Sequence, residues 1–561
     1  MDDPPIRVAR EGVGTCSQGT AEQVIDAVVI GSGPNGLVAA NLLADAGWDV
    51  VVLEAQDAPG GAVKSAEVAA AGYLSDLFSS FYPLAVGSPV IGDLRLEEHG
   101  LRWRHAPKVL AHPLMDGRTA VLSRDVSTTV RSLAAFDERD GAVWEELFAE
   151  WQRLQPHLVN ALMTPFPPLR SGAGLLRALG AQDLLRFARF ATLSVRRFSQ
   201  ERFHGEGAGL LLAGNALHTD LGPESAGSAV FGWLLAMLGQ DVGFPVPEGG
   251  AGRLAEALVA RLRAAGGQLV CGTPVTRVQV RDGCATGVEL ADGTSVTARC
   301  VLADVSAPAL YRELLDDIPA RLAADLDRFD WDDGTVKIDW ALSGPVPWTD
   351  PQVAGAGTVH LAGNLDDISR FSHQLELGQV PDEPFVLFGQ MTTADATRSP
   401  AGTEVAWAYT HVPHHPPGGS WSDPGQRQAL LDKVERRVEQ FAPGFRDLVV
   451  GRHVMFPGEL EVADANLVSG ALNGGTSGLH QQLVFRPTPA LGRPETFVRG
   501  LYLASASAHP GGGVHGACGA NAAKAALRAR TTGWVALALT RSLVGGAPAS
   551  RGVLASRRSE P

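Results

Sequence analysis

Residues 26–31 (DAVVIG) are an unbroken apolar run closing on glycine, the pattern of a strand buried on both faces of a parallel sheet. Over residues 36–46 the apolar positions Leu37, Ala40, Leu43 and Ala44 recur at helical spacing, and residues 49–54 (DVVVLE) return to a strand pattern. Together they predict a βαβ unit. From Asp93 to Phe203 the period becomes that of amphipathic helices, clearest over 143–154 and 175–198. Residues 246–252 (VPEGGAG) open a third region, with a helix over 254–265 and short strands over 275–280, 286–290, 293–298 and 301–303. Alternating polar and apolar positions over 335–343 and 403–412 predict strands of a separate antiparallel sheet. From Gly500 the chain reads strand, glycine-rich turn and helix again. No internal repeat is visible.

The first turn carries chemistry. Gly31-Ser32-Gly33-Pro34-Asn35-Gly36 fits G-x-G-x-x-G between a strand and a helix, and the acidic Glu54 closes the second strand. Gly31 permits the tight turn, Gly33 lets the main chain approach a pyrophosphate, and Gly36 lets the helix pack on the strand. The helix N-terminus offers unpaired N–H groups and a partial positive charge to phosphates. Glu54, with Ala55 next to it, is the acceptor for ribose hydroxyls. No basic residue follows the second strand, so the NADP signature is missing. Instead Ala58-Pro59-Gly60-Gly61-Ala62 makes a second glycine turn, over which the longer cofactor FAD extends. No further G-x-G-x-x-G stands at a strand–helix junction. One FAD per chain and no nicotinamide domain are expected.

The length of 561 residues exceeds one ordinary domain. A net charge of -14 argues against a nucleic-acid partner and against general binding to anionic membranes. The five cysteines, Cys16, Cys271, Cys284, Cys300 and Cys518, form neither a CxxC nor a CxxxxC pair. That excludes the disulfide-reductase type of flavoenzyme and reads as reduced thiols in a cytoplasmic protein. Residues 1–21 read as a disordered extension and 546–561 as a flexible tail. No apolar stretch reaches the ~18 residues of a membrane span.

At this point a family resemblance enters. Residues 28–62 (VVIGSGPNGLVAANLLADAGWDVVVLEAQDAPGGA) followed by 72–85 (GYLSDLFSSFYPLA) resemble the phytoene desaturase-related branch of the flavin amine oxidase superfamily. Residues 500–526 (GLYLASASAHPGGGVHGACGANAAKAA) look like its matching C-terminal signature. Within the branch, the chain is most similar to the phytoene-dehydrogenase-like proteins of the pyridine nucleotide-disulfide oxidoreductase domain-containing group. The resemblance implies an α/β fold (α+β overall): an FAD-binding Rossmann-like domain of the glutathione-reductase class, interleaved with a substrate domain of mixed sheet plus helical cap. Residues 22–92, 245–310 and 490–545 are assigned to the first, 93–244 and 311–489 to the second. Residues 243–253 (GFPVPEGGAGR) with 273–280 (TPVTRVQV) are similar to the segment packing near the FAD adenine, which puts Val275 there. The last segment reaches the flavin end. Gly511, Gly512 and Gly513 let the main chain approach the ring, and the helix from Val514 points its positive end at it. The chain departs from the family after the second glycine pair, where the usual basic residue is Ala62.

Few protein groups are obligatory when the flavin accepts the hydride. Lys337, in GTVKIDWALSGPVPW, shares a strand face with Asp339, opposite Val336, Ile338, Trp340 and Leu342. Likeness to monoamine oxidase-like enzymes implies that it holds a water against flavin N5 and assists reoxidation. The plainer reading is a solvated lysine paired with Asp339. His509 and His515 bracket the glycine turn, either as general bases or as structural neighbours of the cofactor. His218, His411, His414 and His415 are weaker candidates, and no metal site is argued. Phe187, Phe190, Leu193 and Phe198 alternate with Arg186, Arg189, Arg196 and Arg197. Such a stripe is either a face for peripheral membrane contact or core with snorkelling arginines.

The expected activity is FAD-dependent dehydrogenation or desaturation of an apolar, polyene or isoprenoid-like small molecule, by hydride transfer to flavin N5 with O2 or a quinone as final acceptor. A redox-neutral isomerase or cyclase, a flavin amine oxidase and a non-catalytic flavoprotein with an interaction role are the alternatives. An amine oxidase needs an aromatic cage; Phe81, Tyr82, Trp407 and Tyr409 are its candidates, and nothing in the sequence assembles them.

Overall fold

The computed structural model describes residues 24–489 and 492–542; Cys16, the extension 1–21 and the tail 546–561 lie outside the described residues. The first predicted unit forms as strand Ile25–Ile30, helix Pro34–Asp45 and strand Val50–Leu53. Strand Ile25–Ile30 is the centre of a parallel sheet, with Val50–Leu53 and then Gln268–Val270 on one side, Ser295–Ala303 and then Leu501–Leu503 on the other. Alternate residues serve two cores. Ala27, Val29, Val50 and Val52 meet the helices Pro34–Asp45 and Gly252–Ala264, while Val28, Ile30, Val51 and Leu53 meet Leu310 and Leu314. That is why residues 27–30 and 50–53 of these strands are apolar at every position. Ser295–Ala303 is one continuous strand, not the two expected; its first half pairs antiparallel with Cys284–Leu290, which hairpins back to Val275–Arg281.

The second sheet has seven strands in the order 449–455, 334–342, 404–412, 386–390, 356–361, 108–113 and 119–122. It is mixed: Ala356–Leu361 runs parallel to Lys108–Pro113 and the other pairs are antiparallel. One face, with Val336, Ile338, Trp340 and Phe388, packs on helix Pro424–Phe441 through Leu430, Val434 and Val438. The other, with Ala341, Leu387 and Trp407, joins the large core of helices Gly207–Ala216 and Ser228–Val242.

Two further expectations change. Residues 93–203 are not helical throughout, because Lys108–Pro113 and Thr119–Leu122 add two strands to the second sheet. The helix expected over 175–198 is two, Leu169–Phe190, broken in conformation at Gly180, and Val195–Arg202. Phe187 and Phe190 from the first of these pack on Trp233, and Phe198 packs on Phe190 at 4.8 Å between ring centroids. Arg189 and Arg197 meanwhile reach Glu201 at the surface. The stripe is therefore core with snorkelling arginines. Among the described residues no helix is long and apolar enough to cross a membrane.

Candidate functional site

The two glycine turns near the N-terminus lie back to back. Gly31 takes φ +90°, and its N–H bonds the Leu53 carbonyl at 2.8 Å. Gly60 donates to the Ser32 carbonyl at 3.0 Å, and a Cβ on Gly61 would stand 3.0 Å from the Gly33 Cα. Glu54 is buried at the end of its strand. Its carboxylate accepts the Ser32 N–H at 2.8 Å, the Ser32 hydroxyl at 2.5 Å and the Gln56 N–H at 2.9 Å. The acid that closes the second strand is thus held rigid against the first turn, while Ala55 beside it is exposed. Main-chain bonds tie the next candidate segment to the same strand end: Gly272 donates to the Gln56 carbonyl and Thr273 to the Glu54 carbonyl, which sets Val275 close by.

The far end of the chain returns to this point. Gly511 and Gly513 take φ +119°, and Val514, at φ +53°, continues the left-handed path. Helix Ala517–Ser542 then begins so close to the fingerprint helix that a side chain on Gly519 would strike the Asn35 carbonyl. Two helix N-termini therefore converge, one from each end of the sequence. Three buried polar atoms around them have no hydrogen-bond partner in the protein: Asn35 Oδ1, Asn521 Nδ2 and His509 Nδ1. Glycine-floored turns, paired helix N-termini and unpartnered polar atoms suit a long, polyoxygenated dinucleotide.

His515 has a structural task. Its Nδ1 accepts the Ala517 N–H at 3.0 Å and caps the C-terminal helix. His509 donates through Nε2 to the Thr164 carbonyl at 3.1 Å, which leaves Nδ1 as a bare acceptor. Burial drives both rings down to about 4, so both are neutral near pH 7. Neither is poised to titrate near neutrality as a general base would.

From Ala62 an apolar patch runs to the second sheet: Ala62, Leu77, Phe78 and Leu472 pack against Met455, Leu460 and Leu467. Met455 lies opposite Lys337, which lies opposite Tyr409 on its other side. Lys337 is paired with Asp339, as its plainer reading has it, but in the interior: Nζ meets Asp339 Oδ1 at 2.5 Å, and the lysine is only 3% exposed. Its Nζ stands 5.8 Å from the Trp407 ring, which stacks on Tyr409 with 2° between planes and touches Phe81 at 6.0 Å. Three of the four aromatic candidates are thus assembled beside the lysine. Tyr82 is not among them, since its hydroxyl bonds Ser79 and its ring packs on Trp103.

Several residues escaped the sequence reading. Asp304 follows strand Ser295–Ala303 and takes the Gly36 N–H on Oδ2 at 2.8 Å, beneath the fingerprint turn. Burial pushes its carboxyl well above the usual range. An acid closing a strand, as Glu54 does, was the available signal. Lys64, two residues past Ala62, is the cation near Asp464 and draws that carboxyl down against the upward push of burial. Arg486 is buried behind Gly511. His218, one of the weaker candidates, pairs at 3.1 Å with the unforeseen His360, to which His112 stands edge-on; all three are pushed down by burial.

Comparison with known proteins agrees with this geometry. The model of the family described as flavin containing amine oxidoreductase matches residues 35–336. The chain is 28% identical over 568 residues to pyridine nucleotide-disulfide oxidoreductase domain-containing protein 2 of Mus musculus, covering 91% of this chain and 95% of that one. It is 26% identical to the zeta-carotene-forming phytoene desaturase of Myxococcus xanthus, over 87% of this chain and 90% of that one. The fold superposes on the crystal structure of an oxidoreductase from Methanosarcina mazei with a TM-score of 0.60 and 16% identity, covering 90% of this chain and all of that one.

Proposed function

The chain belongs to the flavin containing amine oxidoreductase family, in its phytoene desaturase-related branch, and on that premise we propose that this FAD-dependent oxidoreductase desaturates an apolar, polyene- or isoprenoid-like small molecule. FAD supplies the hydride acceptor. The observation that carries the reading is the apolar patch Ala62, Leu77, Phe78, Met455 and Leu472, continuous through Lys337 with Trp407 and Phe81. The charge within it, Lys337, is cancelled by Asp339, so the wall binds by contact area and not by charge. In this reading Gly31, Ser32, Gly33, Pro34, Asn35 and Gly36 hold the pyrophosphate. Glu54 and Ala55 hold the ribose, Val275 the adenine side, Gly60, Gly61 and Ala62 the middle of the cofactor, and Gly512, Gly513 and Val514 its flavin end. His509 offers Nδ1 as an acceptor there, and Lys337 holds a proton for the final acceptor, O2 or a quinone.

The aromatic row Phe81, Trp407 and Tyr409 favours amine oxidation as the second reading. Against it, Asp339 beside that row is already paired with Lys337, so it is not free to hold an alkylammonium. Anaerobic mixing of the holoenzyme with detergent-dispersed phytoene, or with a primary alkylamine, separates the readings. Flavin bleaching by the polyene alone is the expected result. Bleaching by the amine alone would overturn it, and a changed polyene without bleaching would make the enzyme an isomerase.

A further inference from the structure

Asp339 Oδ2 and His453 Nδ1 are both buried, neither has a hydrogen-bond partner, and they face each other at 4.0 Å. The register explains the encounter. His453 lies directly opposite Asp339 on strand Val449–Met455, the edge strand of the second sheet. Inward, Asp339 uses its other oxygen to hold Lys337 Nζ at 2.5 Å. Outward, 35% of the His453 side chain meets solvent although its Nδ1 does not. An imidazole with one nitrogen inside and the opposite edge outside can take a proton at one and release it at the other.

Nearby charges are engaged elsewhere. Strand Glu404–Val412 presents Trp407 opposite Asp339 and Tyr409 opposite Lys337. Helix Pro457–Ala463 packs on the edge strand; its Glu459 caps Phe456 and pairs with Arg427, and its Glu461 accepts the Ser469 N–H. The neighbour Arg452 pairs with Glu435. Over Gly451 lies the Ala69–Ala70 turn, whose nearby acid Glu67 accepts the Gly72 N–H. What Asp339 faces is Lys337 on one side and His453 on the other.

We propose that His453, Asp339 and Lys337 form a proton path from the edge of the second sheet to the site, resting on the reading that Lys337 serves the final acceptor. That acceptor consumes one proton for each hydride equivalent it takes: O2 + H⁻ + H⁺ gives H2O2, and a quinone likewise gives its quinol. The proton leaves Lys337 as one N–H bond breaks. Asp339, protonated on Oδ2 by the His453 imidazolium through Nδ1–H, turns its carboxyl and restores the ammonium. His453 becomes that imidazolium by first taking a solvent proton at Nε2, and once Nδ1–H has left, a turn of the ring restores the Nδ1–H tautomer. No electrons move along the path.

The test is photoreduced holoenzyme mixed with O2-saturated buffer over a range of pH, with flavin absorbance as the readout. His453→Ala is expected to slow reoxidation about a hundredfold, the lower end of general acid–base contributions, and added imidazole to restore most of the rate. Lys337→Met is expected to slow it without rescue. If His453→Ala reoxidises like the wild type at every pH while Lys337→Met is slow, the path is wrong and the lysine reading stands. If neither is slow, both fall. A second readout needs no turnover. The histidine Cε1–H resonance that disappears in His453→Ala is expected to shift at fixed pH in Asp339→Asn apoprotein, and an unmoved resonance overturns the contact. His453 is part-exposed on an edge strand, so its variants are expected to fold.

Discussion

Arg486 lies against the back of Gly511, with its Cζ 3.3 Å from where a Cβ on that glycine would stand. The guanidinium is 1% exposed and donates only to main-chain carbonyls, those of Asn473, Gly475, Thr476 and Ala506. One side chain thus fastens two segments behind the turn of Gly511, Gly512 and Gly513. A buried carbonyl left unbonded costs ~1–3 kcal/mol, so Arg486→Met should lower the melting temperature and shed FAD on gel filtration. Arg486→Lys, with fewer donors and no planar fork, should recover only part of both. FAD retention by Arg486→Met equal to that of the wild type would remove the residue from the cofactor site.

Gly36 has no room for a methyl group: a Cβ there would drive into the Gly31 carbonyl and stand 2.9 Å from Asp304 Oδ2. Overpacking of this kind costs ~1–3 kcal/mol. Gly36→Ala should therefore destabilise even the apoprotein and should abolish FAD binding, read by melting and by flavin absorbance. Gly172, inside a helix with nothing within 4 Å of an added Cβ, is the control. Gly172→Ala should raise stability by ~0.5–1 kcal/mol. Equal effects at the two sites would mean that crowding under the fingerprint is not what fixes the glycine.

The fingerprint, both glycine turns and the C-terminal turn were legible because each demands residue types that few other structures need. The strands Lys108–Pro113 and Thr119–Leu122 were not, because both are short and buried at nearly every position, so no alternation betrays them. Over 335–343 alternation was visible but its meaning was not. All nine residues of Gly334–Leu342 are buried, and the polar face that reads as solvent-facing holds Lys337 and Asp339 inside. Arg486 and His453 were invisible for another reason: each acts through partners more than a turn away in sequence, which only the fold brings near.

The interior pair makes a two-sided prediction. Lys337→Met leaves Asp339 buried without its cation, a loss of ~3–5 kcal/mol by analogy with other broken buried pairs. Replacing both, as Lys337→Met with Asp339→Leu, should return most of that stability or exceed it. Denaturant melts of the two singles and the double close the cycle. A double variant as unstable as the worse single would show that the pair matters through shape and not through charge.

Acid should weigh on this protein through its buried histidines. Burial holds His112, His509 and His515 down at about 4 and His218 at about 3. In the unfolded chain each titrates near ~6.5. Between these values the unfolded state binds protons on these rings that the folded state refuses, so their share of the stability rises with pH across the window. It is complete above about pH 6.5 and is lost progressively as pH falls toward about 4, by ~1.4 kcal/mol per histidine and pH unit at most. Asp332 and Asp333, whose carboxyls burial raises to about 6 and about 7, gain stability as pH falls over the same range, so the histidine share is read as a difference between variants. His515→Asn keeps a side-chain acceptor for the Ala517 N–H and removes one titrating group, so it should melt like the wild type at neutral pH and fall less steeply in acid. An acid slope in His515→Asn equal to that of the wild type would mean that burial does not hold His515 neutral.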